Sequence, residues 1–214
     1  MYEQSVMKVV KSLKKRIIVG VTGASGIPVA IRVLQLLRME ADYESHLVIS
    51  ESGKITIGYE SDYSISQIES MADHIYDTHE IGAAIASGTF CSEGMIIVPC
   101  SMKTVAGIAN GYSDSLLLRA ADVMLKERKK LILMIRESPL SSIHTRNMHC
   151  LADAGVELLP LVMTFYNQPK TIEDMIHHLA CKALDRFDIA VPHFRRWMDS
   201  TKQEQEVVNY ENVN

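Results

Sequence analysis

Three stretches of this chain hold groups suited to gripping an anion, and one of them adds a group that can move a proton. Gly20, Gly23 and Gly26 bracket Thr22 and Ser25, a composition that lets backbone amides approach a ligand and aims a helix N-terminus at negative charge. The spacing is not G-x-G-x-x-G, although Glu51 after Ser50 supplies the acidic residue that a dinucleotide site would want at the end of a second strand. A tight turn without a ligand is the bland alternative. Pro99-Cys100-Ser101-Met102-Lys103-Thr104 puts two hydroxyls and a cation at a helix start, an arrangement suited to a phosphate. Cys100 has no evident activating base and reads as a small buried residue. Arg136-Glu137-Ser138-Pro139 follows an apolar run, so an arginine that can hold an anion emerges beside a glutamate that can act as acid or base; an ordinary strand-end ion pair is the alternative.

Other polar groups carry weaker signals. Arg119 and Lys126 stand seven positions apart and share a helix face, so they could present two cations to one phosphate. Arg128, Lys129 and Lys130 read as a solvated basic exit from that helix. Glu60 reads as a surface glutamate. His144, His149, His177 and His178 match no metal-ligand template, and Cys91, Cys100, Cys150 and Cys181 include no C-x-x-C pair. Neither a metal centre nor a disulfide framework is expected.

Groups so scattered can meet only if the fold gathers them. Short β-branched runs at Arg16–Thr22, His46–Ser50, Gly94–Cys100, Leu131–Arg136 and Val156–Pro160 read as strands, with a polar link at Glu40–Glu44. Between and after them, helical periodicity predicts a helix entered at Pro28 with Ile31, Leu34, Gln35 and Leu37 along one stripe. A weaker helix is expected near Ser66–Asp73, and others at Thr104–Ala109, Ser115–Lys126, Ser141–Ala154 and Ile172–Phe187, the last capped by Thr171 with Asp174 in a capping box. Alternation of this kind predicts one α/β domain: an open parallel sheet with helices on both faces. Ligands of such sheets sit beyond the carboxyl ends of the strands, where Gly23–Ser25, Ser50, Ser101–Thr104 and Arg136-Glu137 all fall.

Composition narrows the partners. A length of 214 residues with 47% hydrophobic content suits one domain with a two-sided core. The formal net charge of -4 gives no basic excess for a nucleic-acid backbone. No apolar run approaches the ~20 residues of a membrane span, and Met1–Arg16 lacks the apolar stretch of a signal peptide. A cytoplasmic protein is expected, with a flexible arm over residues 1–14, the domain over 15–192, and a C-terminal segment and polar tail over 193–214.

Over Arg16–Trp197 the chain resembles the flavin prenyltransferases, a family earlier described as small subunits of phenolic-acid or polyprenyl-hydroxybenzoate decarboxylases. The resemblance rests on Thr22-Gly-Ala-Ser-Gly26, His46-Leu-Val-Ile-Ser50, Ala86-Ser-Gly88, Pro99-Cys-Ser-Met-Lys-Thr104, Arg119-Ala-Ala-Asp122, Leu125-Lys-Glu-Arg128, Arg136-Glu137-Ser-Pro and Phe165-Tyr166-Asn-Gln-Pro169. It implies a Rossmann-like, flavodoxin-like domain for FMN and no NAD. Gly23, Ala24, Ser25, Ser50, Ser101, Met102, Lys103, Thr104 and Arg136 match flavin-contacting positions. Tyr166 and Lys182 match prenyl-phosphate positions, with Arg119, Lys126 and Glu137 near the same phosphate and Glu60 near the flavin. The implied reaction joins the dimethylallyl group of dimethylallyl phosphate to N5 and C6 of reduced FMN without magnesium, and delivers prenylated FMN to a partner aromatic-acid decarboxylase. In it Ser25, Glu60, Arg119, Lys126 and Glu137 carry the chemistry. The family forms homo-oligomers, commonly dodecamers, with sites at subunit contacts. Relatives often have arginine at position 182, and an aromatic or small residue where Pro28 stands. Two other readings stay open: an FMN-dependent cysteine decarboxylase, whose Asn-containing motif is replaced here by Ser101-Met-Lys-Thr, and a non-catalytic flavin carrier. Trp197 either completes a neighbour's site or packs at a surface.

Overall fold

The computed structural model describes residues 14–197. In chain order its main elements are β1 (Lys15–Val21), α1 (Ile27–Met39), β2 (Tyr43–Ile49), α2 (Glu51–Glu60), α3 (Ile65–Glu69) and β3 (His74–Tyr76). A single 3-10 turn at Ala84–Ala86 leads to β4 (Gly94–Cys100), α4 (Met102–Ala109), α5 (Leu116–Lys126), β5 (Lys130–Ile135), α6 (Ser142–Asp153), β6 (Glu157–Leu158) and α7 (Ile172–Asp185). The strands form one six-stranded sheet in the order β3-β2-β1-β4-β5-β6, and every pairing is parallel. Without the three-residue edge strand β3, the remaining order is the flavodoxin-type one, with its reversal between β1 and β4. The α/β expectation holds.

Strand alternation divides the core. Ile17, Val19, Leu47, Ile96, Val98, Ile132 and Met134 pack on one face against α1 and α7, whereas Ile18, Val48, Met95, Ile97, Leu131 and Leu133 pack on the other against α4 and α5. Burial on both faces explains why β4 is apolar along its whole length. It also explains why α1 buries eight of its thirteen residues, including Ile31, Leu34 and Leu37.

Several boundaries differ from the sequence expectation for physical reasons. Helix α2 was not predicted: it buries only Gly53 and Ile57, so no apolar stripe marks it. Strand β3 is three residues at the sheet edge, too short to show period-two alternation. Strand β2 begins at Tyr43, not His46, so Glu44 belongs to a strand instead of a polar link. Helix α4 begins two residues before the predicted Thr104, because Ser101 accepts the Thr104 amide as its N-cap. Strand β6 shrinks to Glu157–Leu158, α3 ends at Glu69 and α7 ends at Asp185. The Thr171–Asp174 capping box of α7 is present as expected. The expected arm and tail fall almost wholly on residues 1–13 and 198–214, outside the described residues. Among the described residues no helix is long and apolar enough to cross a membrane.

Ile96 lies fully buried at the middle of β4, where both neighbouring strands confine it. Ile96→Ala is expected to cost about 2–5 kcal/mol in denaturant unfolding at fixed protein concentration. A loss below about 1 kcal/mol would show that this layer can collapse around the missing atoms.

Candidate active site

The carboxyl ends of β1 and β4 are tied by one buried residue. The Thr22 hydroxyl donates to the Pro99 carbonyl at 2.7 Å and accepts the Ser101 amide at 2.9 Å, and the Thr22 amide donates to the same carbonyl at 3.3 Å. Thr22 is thereby fully used, which fixes the loops on either side of the switch point. The Ser50 amide donates to the Val21 carbonyl at 2.9 Å and the Arg136 amide to the Cys100 carbonyl at 3.2 Å. Four successive loops are in this way stitched into one rim.

Three helices begin at that rim, and they differ in what their N-termini have left to offer. In α2 and α4 the caps are Ser50, accepting from the Gly53 amide at 3.1 Å, and Ser101, accepting from the Thr104 amide at 3.4 Å. The first-turn amides of Glu51, Ser52, Met102 and Lys103 have no intrahelical acceptor and carry the positive end of each helix dipole. Helix α1 is different. Its cap position is Gly26, without a side chain to accept, and Pro28 has no N–H. Glu60, at the end of α2, supplies the acceptor: its Oε2 takes the Gly26 amide at 2.8 Å and the Ile27 amide at 3.0 Å. An internal carboxylate therefore fills the place where a dinucleotide pyrophosphate sits in the G-x-G-x-x-G fold. The NAD reading that Glu51 kept open loses its anchor, and the Pro28 departure acquires a meaning.

Glu60 was the residue that sequence reasoning alone placed on a bland surface; only an unpredicted helix brings it to the glycine turn. Burial pushes its carboxyl up, but the Ser25 hydroxyl, the Gly26 and Ile27 amides and the nearby Arg136 charge outweigh that and hold it below the usual carboxylate range. At neutral pH it is an ionised acceptor joined to a serine hydroxyl, a pair able to relay a proton. Gly23 is held by packing, since a Cβ there would lie 2.5 Å from Ser52 Cβ; Gly26 has φ of 125° and would meet Leu161 at 2.5 Å. Cys100 is fully buried and burial pushes its thiol far up, which confirms packing over nucleophilicity. Gly23, Ala24, Ser25, Ser50, Glu60, Ser101, Met102, Lys103, Thr104, Arg136 and Glu137 thus all belong to the rim.

Among the described residues, no hydrogen bond or ion pair joins the remaining candidates to the rim. Lys126 ends α5 and precedes β5, while Arg136 follows β5, so the six-residue strand separates them by about 20 Å. Lys126 pairs with Glu127 at 2.5 Å and Arg119 with Asp122 at 2.8 Å, both at a half-exposed surface. The loop at Gly88 presses on the first pair, where a Cβ would come within 2.8 Å of Lys126 Nζ. Tyr166 and Lys182 form a third group. The Tyr166 hydroxyl lies 3.4 Å from His178 Nε2, and Lys182 follows His178 by one turn of α7. Burial, then the Lys182 charge, lowers the His178 pKa. Trp197 packs edge-to-face on Tyr166 at 5.3 Å and stays exposed. A depression of about 460 Å³ beside Lys182 is lined by Glu157, Asp185, Arg186 and Phe194, not by the rim residues.

Glu60→Ala is expected to uncap α1, costing about 1 kcal/mol. Because the folded carboxyl titrates below its ordinary 4.5, its contribution is complete above that value and disappears as pH falls through the folded one. Urea unfolding from about pH 7 to pH 3 should therefore show the wild-type advantage shrinking toward the acid end; an advantage that grows there would contradict the cap.

Residues 6–199 match the Flavoprotein family. The flavin prenyltransferase LpdB of Lactiplantibacillus plantarum is 49% identical over 183 residues, which cover 86% of this chain and 98% of that protein. A dodecameric FMN-dependent UbiX-like decarboxylase from Escherichia coli O157:H7 superposes with a TM-score of 0.84 at 47% identity, covering 85% of this chain and 98% of the other. A UbiX protein in complex with FMN and dimethylallyl pyrophosphate gives a TM-score of 0.84 at 45% identity, covering 86% and 97% of the two chains. The rim built on β1 and β4, and the sequence that forms it, place this chain in the Flavoprotein family as a member of the flavin prenyltransferases.

Proposed function

We propose that this chain joins the dimethylallyl group of dimethylallyl phosphate to N5 and C6 of reduced FMN, giving prenylated FMN for a partner aromatic-acid decarboxylase in the cytoplasm. The observation that carries the reading is the rim: two helix N-termini with uncommitted amides, at Ser50 and Ser101, face a glycine turn whose Ser25 is coupled to an ionised Glu60. The flavin fits this donor set. Amides and hydroxyls of Ser50, Ser101, Met102, Lys103 and Thr104 would hold its phosphate, and Gly23, Ala24, Ser25 and Arg136 would hold its ring edge. Reduced flavin supplies the nucleophilic atoms; the protein supplies charge and protons.

Departure of phosphate from an allylic carbon is the demanding step, and cations aimed at the leaving dianion lower its barrier. Arg119, Lys126 and Lys182 serve that purpose, Tyr166 orients the phosphate, and Glu137 manages its proton. Lysine at position 182 keeps the charge without the planar fork of arginine, so it holds phosphate as a point charge. Ser25 and Glu60 accept protons released at the ring. A separation of about 20 Å between Lys126 and Arg136 is too great for one chain to surround a single small substrate. Neighbouring copies must bring Lys126 to another chain's rim, and this supports a homo-oligomer of the dodecameric kind seen in the Escherichia coli relative.

Pure protein incubated without oxygen with reduced FMN and dimethylallyl phosphate should yield a flavin heavier by one dimethylallyl unit in the mass spectrum. Glu137→Gln is expected to slow its formation about 100-fold or more, and an unchanged rate would remove Glu137 from the mechanism. Co-expressed Ser25→Ala and Lys126→Ala chains, each inactive alone, should recover part of the activity in mixed oligomers. No recovery despite mixed assembly would contradict the shared site.

A further inference from the structure

At the outer edge of the sheet, away from the rim, three metal-binding donors meet without any role in the reaction. Glu44 and His46 are two residues apart on β2 and share one face, and the strand register sets His46 directly opposite His74 of β3. One donor atom from each of the three lies within 4.8 Å of the others. Glu44 Oε1 is 3.4 Å from His46 Nε2, and Glu44 Oε2 is 3.8 Å from His74 Nε2. The His46 side chain is 4% exposed, and the Tyr76 hydroxyl sits 2.9 Å from its Nδ1. In the tautomer whose Nδ1–H donates to the Tyr76 hydroxyl, Nε2 turns its lone pair toward Glu44, and an ion there replaces the Nε2 contact to Oε1; outer partners orient metal-bound imidazoles in this way.

We propose that Glu44, His46 and His74 form a site for a divalent transition-metal ion of the zinc type, pinning the edge strand β3 to β2. Two imidazoles and one carboxylate are a donor set that zinc takes, with water completing four-coordination. Two features set the terms of binding. Arg16 already holds Glu44 Oε1 at 2.7 Å, so the ion takes Oε2. The two imidazoles stack at 4.4 Å with planes 13° apart, and parallel rings cannot aim both lone pairs at one point. His46 is fixed, whereas the half-exposed His74 is free to turn out of the stack. One side-chain rotation closes the site. Spacing along the chain relates only Glu44 and His46; His74 joins them through strand pairing, which no sequence pattern announces.

Metal-stripped protein titrated calorimetrically with Zn²⁺ should bind one ion per chain through this cluster, and Co²⁺ in its place should give the visible absorption of a four-coordinate ion. His74→Ala, at an exposed edge position, should weaken that binding at least 10-fold and abolish the cobalt spectrum. His149→Ala, which removes an exposed histidine paired with Asp153 at 3.5 Å, should change neither. Saturating Zn²⁺ should also raise the thermal midpoint of the wild type but not of His74→Ala. Absence of binding, or binding and a cobalt spectrum undiminished in His74→Ala, would overturn the proposal.

Discussion

The contact on which the rim depends is the one between Glu60 and the start of α1. A glycine turn followed by Pro28 leaves two amides facing the ligand edge with no local acceptor, and an unsatisfied pair at a partly buried helix start is costly. Glu60 meets both and so converts what would be an anion site into an internal cap. Two consequences follow from that single carboxylate. The anion-binding capacity of the sheet edge passes to α2 and α4, and a negative charge is fixed next to Ser25. The cap that holds the fold is also an ionised acceptor for the Ser25 hydroxyl.

The second constraint is the clamp made by Thr22. Its hydroxyl is donor to one backbone group and acceptor from another across the β1–β4 reversal, so the glycine turn and the Ser101 cap cannot drift independently. Preorganisation of this kind matters because amides aimed at a phosphate, and a carboxylate aimed at a proton, act only at short range. By contrast, Arg119 and Lys126 are held by local carboxylates, and β5 sets Lys126 about 20 Å from Arg136.

Much of the architecture was legible in the sequence because buried parallel strands and stripe-bearing helices write themselves in apolar residues. Gly94–Cys100 is such a run, and α5, with seven buried side chains, is such a helix. The rim was legible as well, since it consists of whatever follows each strand. What escaped notice lacks an apolar signature. Helix α2 is mostly solvated and buries only two of its residues, and with it went the position of Glu60. The Glu44–His46–His74 cluster escaped for a related reason: β3 is too short to be read, and the pairing that joins the histidines is set by tertiary register. Thr22 stood in plain view among the glycines, but a side chain that ties two backbone loops has no spacing rule to announce it.

The account stands most directly on where an anionic flavin comes to rest. A crystal structure of the protein with FMN should place the phosphate against Ser50, Ser101, Met102, Lys103 and Thr104, with Glu60 still holding the Gly26 and Ile27 amides. A phosphate found on Gly26 and Ile27, with the Glu60 carboxylate swung away, would contradict it.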